Sequence, residues 1–306
     1  MTAAVLFALY AAAAGMLAPS TLRDRWVTRS PRLAISLWLV LPVSWVTAAV
    51  MAVLAAAAPF PLAWPGPGPG RIRVLAGPPM PGGRAIAVAG LALAAAVALR
   101  AGWCLADEWY RGWRGGREHA ALVAATGRPG PEQGMVILDH DAPAVYCLTC
   151  GRGQIVVSAG ALAALTPGQI RAVLAHERAH LRGRHHTMLT LATGLARAFP
   201  GVPLLAQAGP QLGLLAEMAA DDASARGHRR EDLAAALVIL AGAGPRPAAL
   251  TAGGPAAMTR LQRLLTPPQQ HTWAATLAAV AGLLPPAAIA CVPLIIAVCD
   301  LITHPA

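Results

Sequence analysis

Long uncharged runs punctuate this chain. Residues 1–18 carry no charged side chain, residues 33–58 form a second such run, and residues 85–106 form a third, broken by Arg100 near its end. A fourth covers 274–299 and contains Pro285, Pro286 and Pro293. Each run is close to the roughly 20 residues that a helix needs to cross a bilayer. The apolar residues are mostly Ala, Leu and Val without strand-like alternation, so helices are predicted. The first run has no basic start and no clean small-residue cleavage site, and Pro19 and Arg23 follow it, so it is read as a retained span rather than a signal peptide. The prolines of the last run predict a kinked span or a re-entrant hairpin.

Between the third and fourth runs the pattern changes. Residues 107–272 have ordinary polar content. Met135–Asp139, Ala144–Leu148 and Gln154–Ser158 read as short strands separated by turn residues. Thr166-Pro167 then opens a helix, with Thr166 as N-cap and Pro167 in the first turn, running through Ala172–His180. Residues 187–216 are nearly uncharged apart from Arg197, but Pro200, Pro203 and Pro210 argue against a full span. That stretch is expected to lie on the membrane surface or to cover a site. Further helices are predicted over Leu212–Arg226 and Asp232–Ala241. The expected organisation is three transmembrane helices in 1–106 with a Pro/Gly-rich loop at 59–83, an inserted polar domain in 107–272, and a C-terminal transmembrane segment in 273–306. The fold class is thus a mainly α membrane protein, with about four transmembrane helices and an α+β domain inserted between the third and fourth.

Composition strengthens the membrane reading. Only 12% of residues are charged and the mean hydropathy is +0.54, against about 25% charged in soluble domains. The net charge is +10, and every basic residue is arginine. The arginines are scattered or sit beside apolar runs, which fits anionic lipid better than nucleic acid, so no direct nucleic-acid partner is expected. Arg23, Arg25, Arg29 and Arg32 fill the first loop, and Arg111, Arg114 and Arg117 follow the third run. The positive-inside rule therefore puts the first loop and residues 107–272 in the cytoplasm. All eight tryptophans (Trp26, Trp38, Trp45, Trp64, Trp103, Trp109, Trp113 and Trp273) lie outside 114–272, and several flank the predicted spans, where an indole prefers the membrane interface. Five cysteines in no regular framework exclude a disulfide scaffold, and Cys147 and Cys150, a lone Cys-x-x-Cys, are expected as reduced thiols. Arg260-Leu261-Gln262-Arg263 reads as a basic membrane-entry segment.

The candidate chemistry lies in the polar domain. His176-Glu177-Arg178-Ala179-His180 puts two histidines one helical turn apart on the same face, where both imidazoles reach one zinc ion, with Glu177 beside it. A catalytic zinc takes three protein ligands and keeps one position open. Glu217 is the best third ligand, and Asp221, four residues on, faces the same way and can hold the far nitrogen of His176. His228 and Arg226 are candidates for stabilising an oxyanion. His185 and His186 are expected to cap the helix or make a domain contact.

A His-Glu-x-x-His pair followed by Glu-x-x-x-Asp resembles the membrane gluzincin metallopeptidases. The likeness is strongest to the BlaR1/MecR1-type antibiotic sensors of peptidase family M56, and next to the Ste24- and HtpX-like peptidases of family M48. Its specific part runs from about Ala142 to Arg226, including Pro143-Ala144-Val145-Tyr146, Val156–Leu162 and His185. The resemblance implies a cytoplasmic zincin domain with one Zn2+ on His176, His180 and Glu217, Glu177 as catalytic base and Asp221 behind the ligands. It also implies that Ala144–Leu148 or Gln154–Ser158 binds a protein or peptide substrate by strand addition. Only six residues follow Asp300, so an antibiotic-sensing domain is not expected. The expected activity is membrane zinc endopeptidase. The alternatives are a signalling protease that cleaves a cytoplasmic transcriptional repressor, and a non-catalytic scaffold of the same fold.

Overall fold

The computed structural model describes residues 2–22, 25–57, 63–65, 72–74, 83–151, 153–242 and 255–266. The fourth apolar run, Trp273 and the C-terminal segment predicted for 273–306 lie outside the described residues. Three helices among the described residues are long and apolar enough to cross a membrane: α1 (Thr2–Thr21), α3 (Pro31–Ala57) and α4 (Gly83–Thr126). A short α2 (Arg25–Arg29) sits between the first two, and β1 (Ala63–Pro65) and β2 (Ile72–Val74) pair within the Pro/Gly-rich loop.

Helix α4 differs from expectation. It runs 44 residues without a break, about 66 Å at 1.5 Å per residue and so roughly twice the hydrocarbon thickness. The predicted boundary at 106/107 therefore falls inside a helix. Past Trp103 the sequence turns polar but stays helical, because Asp107–Arg111 (3.1 Å) and Arg114–Glu118 (2.9 Å) pair across one turn.

The apolar stretch 187–216 forms α7 (His185–Ala198) and most of α8 (Pro203–Ser224), with Pro203 in the first turn and Pro210 inside. Both helices pack against the membrane-type helices, α7 on α4 and α8 on α1 and α3. Gly194 lets α7 approach closely, since a Cβ there would stand 3.1 Å from the Leu105 Cα. Leu22, Leu37, Trp38 and Leu41 join Met188, Leu204, Leu212 and Leu215 in one apolar core. Trp38 is fully buried in it, and Trp45 donates from Nε1 to the Ala11 carbonyl (2.9 Å). These two tryptophans bind helices together. Among the described tryptophan side chains, Trp103, Trp109 and Trp113 on α4 are exposed.

The polar domain carries a four-stranded sheet in the order β3-β4-β6-β5. The predicted strands appear as β4 (Met135–Leu138), β5 (Val145–Leu148) and β6 (Gln154–Ser158). β4 runs parallel to β6, and β5 lies antiparallel to β6 at a sheet edge. The sequence reading missed β3 (Gly127–Pro129), which pairs antiparallel to β4; a Gly-Arg-Pro strand has no alternation to read. Helices α5 (Ala159–Ala164), α6 (Pro167–Arg182), α9 (Arg230–Gly242) and α10 (Pro255–Leu265) complete this half. Ile155, Val157, Val173, Leu174, Leu233 and Leu264 form a second core beneath the sheet.

Candidate metal centre

Helix α6 is fixed at its start by a capping box. The Thr166 hydroxyl accepts from the Gln169 N–H, the Gln169 side chain accepts from the Thr166 N–H, and Pro167 sits in the first turn. Ten residues on, His176 is buried (4% exposed). Its Nε2 lies 3.0 Å from His180 Nε2, so the two rings face one point. Helix α8 crosses beside them and brings Glu217, with Oε2 3.5 Å from His176 Nε2 and Oε1 3.4 Å from His180 Nε2. One nitrogen from each histidine and one carboxylate oxygen thus converge within 4.8 Å of each other, the one such group found among the described residues.

Tetrahedral zinc with bonds of about 2.0–2.1 Å separates its ligand atoms by about 3.3–3.4 Å. The two histidine nitrogens, 3.0 Å apart, lie close to that value, and each is approached by a different oxygen of Glu217, His176 Nε2 by Oε2 at 3.5 Å and His180 Nε2 by Oε1 at 3.4 Å. Two neutral imidazoles and a carboxylate also form a donor set that suits zinc.

A layer of polar groups surrounds this triangle. Asp221, one turn beyond Glu217, is 1% exposed, and its Oδ1 lies 3.1 Å from His176 Nδ1, off the line of a well-formed hydrogen bond. His185 opens α7. Arg184 before it adopts a left-handed backbone (φ 48°), an uncommon conformation for a residue with a side chain. The turn folds the chain back so that His185 Nδ1 reaches His180 Nδ1 at 2.8 Å. His185 therefore makes a contact with a ligand ring, beyond the helix capping or domain contact favoured from sequence. Such partners set the tautomer of a ligand and its orientation. Ser224 joins the two ligand helices by donating to the Ala172 carbonyl on α6 (2.7 Å).

Arg260 overturns its sequence reading as part of a membrane-entry segment. It is 3% exposed and donates from Nε and Nη2 to both oxygens of Asp221 (2.9 and 2.8 Å), and its Nη1 lies 2.7 Å from Glu217 Oε2. Its neighbour Arg263 pairs with Asp222 (2.7 Å) and donates to the Thr28 carbonyl (3.0 Å). No spacing rule links Arg260 to residues 39 positions away in sequence, so only the three-dimensional arrangement reveals it.

These contacts set the charge states. Burial works against a carboxylate at Glu217, but the hydrogen bond with His176 and the Arg260 charge outweigh it and hold Glu217 down at about 2. Asp221 is likewise held well below the usual carboxylate range, chiefly by Arg260. Burial opposes protonation of His176, yet Asp221 and Glu217 overcome it and push the imidazole up to about 10. His180 moves the other way, to about 4, chiefly through burial.

Glu177 points toward the sheet edge, where it contacts the thiol of Cys147 on β5, and burial pushes its carboxyl above the ordinary value. Cys147 is pushed up to about 12, first by burial and then by the Glu177 charge, so it remains a thiol. Cys147 and Cys150 are both free cysteines, and Cys150 faces the Trp113 carbonyl on α4. The two oxyanion candidates are placed less tellingly. His228 Nδ1 lies 3.2 Å from the Ser224 carbonyl, Arg226 is exposed, and among the described contacts neither touches the ligand set.

The geometry can be set beside known proteins. The sequence model of peptidase family M48 matches residues 116–267. The match spans the sheet, both ligand helices and α10. It supports the M48 likeness and a metalloprotease function, and M48 peptidases are zinc-dependent. The nearer resemblance expected to family M56 receives no such support. No curated protein and no solved structure matches the chain.

Proposed function

We propose that this protein is an integral-membrane zinc endopeptidase, with His176, His180 and Glu217 as ligands and Glu177 as general base. The observation that carries the proposal is the convergence of one nitrogen from each histidine and one Glu217 carboxylate oxygen within 4.8 Å of one another, a donor set that suits zinc. When bound, the ion supplies a Lewis acid that polarises the scissile carbonyl and acidifies a water. Glu177 takes the proton of that water and delivers it to the leaving amine. Asp221 holds the far side of His176, and His185 holds the far side of His180. Substrate adds as a strand along β5, whose other edge is taken by β6 and whose Cys147 stands beside Glu177. This choice narrows the two strands considered from sequence to one.

In this reading α1, α3 and α4 cross the bilayer, and the peptidase portion faces the cytoplasm on the side of the loop arginines Arg23–Arg32. The test is cleavage of an unfolded protein by detergent-purified enzyme with zinc, beside a Glu177→Ala variant. A rate that falls at least about 100-fold in the variant, with zinc content unchanged, is expected. If folded wild type leaves the substrate intact, the broad endopeptidase is ruled out, and a protease narrow enough for one cytoplasmic repressor, or a scaffold, takes its place.

A further inference from the structure

We propose that Arg260 is a positioning residue of the zinc site, holding Glu217 and Asp221 as one rigid pair in their ligating orientation. This rests on the zinc-site reading above. Arg260 comes from α10, outside the two ligand helices, yet its guanidinium lies between Glu217 and Asp221 of α8. Its planar fork takes both oxygens of Asp221, and the remaining Nη1 takes Glu217 Oε2. Such two-pronged pairing fixes direction as well as charge. With Oε2 held, Glu217 Oε1 is left facing His180 Nε2. With Oδ1 held, Asp221 is kept facing His176 Nδ1. One side chain therefore acts on two of the three ligands, directly on Glu217 and through Asp221 on His176.

Charge argues the same way. Three carboxyl groups, of Glu177, Glu217 and Asp221, gather around this point, and Arg260 brings the one guanidinium that reaches two of them. Burying a guanidinium is costly unless it is fully paired. Among the described residues this chain accepts that cost beside the ligands, while Arg263, one turn along α10, pairs at a partly exposed site. Arg263 thus serves as an internal control, since it anchors the same helix without touching a ligand.

The experiment measures zinc affinity by chelator competition in the detergent-purified full chain, for wild type, Arg260→Met, Arg260→Lys and Arg263→Met, with thermal melts at saturating zinc. Cobalt-substituted samples add visible spectra that report coordination. Loss of a partner behind the ligands typically weakens metal binding on the order of 10–100-fold, and that loss is expected for Arg260→Met together with an altered cobalt spectrum. Arg260→Lys restores charge but not the fork, and should fall between Arg260→Met and wild type. Arg263→Met should bind zinc as wild type does, even if it melts earlier. Wild-type affinity and spectrum in Arg260→Met overturn the proposal, whatever its melting temperature. Should Arg260→Met fail to fold, wild-type affinity in Arg260→Lys overturns it equally. Failure of wild type itself to bind zinc refutes the zinc-site reading instead, so the two failures are distinct.

Discussion

The two halves of this molecule bury apolar side chains by opposite rules. In the half built from α1, α3, α4, α7 and α8, the inner faces form a core while Leu9, Met16, Leu17, Leu91, Leu99 and Trp103 point outward and are exposed. In the half built from the sheet, α5, α6, α9 and α10, apolar residues gather beneath the sheet, and the outer faces mix polar side chains with a few apolar ones, Val238, Met258 and Leu265. The first pattern fits the three helices that are long and apolar enough to cross a membrane, and the second fits a face turned mostly to water. The candidate zinc site lies on the seam. Helix α6 is rooted in the sheet-side core through Ala172, Val173 and Leu174, and α8 in the membrane-side core through Leu204, Leu212 and Leu215. Each half therefore supplies part of the ligand set.

The contrast is open to direct attack by truncating one leucine on each side. Leu233→Ala, at a fully buried position in the sheet-side core, should destabilise by about 2–5 kcal/mol, the sum of lost transfer energy and the residual cavity. Leu41→Ala in α3, 3% exposed in the other core, should cost roughly half as much in detergent. There the apolar solvent receives the side chain in the unfolded state too, and only packing is lost. Thermal melts of both variants in one detergent decide the matter. Equal losses would mean that α3 unfolds into water and does not behave as a membrane helix.

Removing zinc should act on both halves together. At free zinc about 100-fold above its dissociation constant, the ion contributes about 2.7 kcal/mol. Chelation should therefore speed amide exchange in the second half of α6 and the second half of α8 at once, and leave β6 and α3 as they were. Faster exchange in one ligand helix alone would show that the seam is not bridged by the metal.

What the sequence revealed follows the same division. The apolar runs, the three strands and the capped start of α6 were legible because each depends on residues close together in the chain. The pairing of His176 with His180 was legible for the same reason, and Glu217 and Asp221 followed from their four-residue spacing. What was not legible depends on contacts between distant segments. The burial of Trp38 against α8, the packing of α7 on α4 and the reach of Arg260 to Asp221 all join residues far apart in sequence. Composition misled at Arg260, which resembled a membrane-surface charge. The uncharged stretch 187–216, read as lying on the membrane surface or covering a site, packs its apolar faces on α1, α3 and α4.

The smallest effect expected at the seam separates register from charge. Ser224 is fully buried on α8, and its hydroxyl donates to the Ala172 carbonyl of α6. That carbonyl lies one turn before His176, and Ser224 lies about one turn after Asp221, so the bond sets how far along each other the two helices sit. Ser224→Ala removes the donor but leaves the carbonyl its place within helix α6, so the loss should be about 0.5–1.5 kcal/mol. The Arg260 network and the ligand side chains are untouched by this change. Zinc affinity should therefore stay within about twofold of wild type, since 0.4 kcal/mol of coupling is about a factor of two. Paired melts and chelator titrations of Ser224→Ala would check both halves of the claim. A loss of zinc affinity as large as the loss of stability would show that the ligand geometry depends on helix register. The carboxylate pair held by Arg260 would then be insufficient to keep the ligands in place.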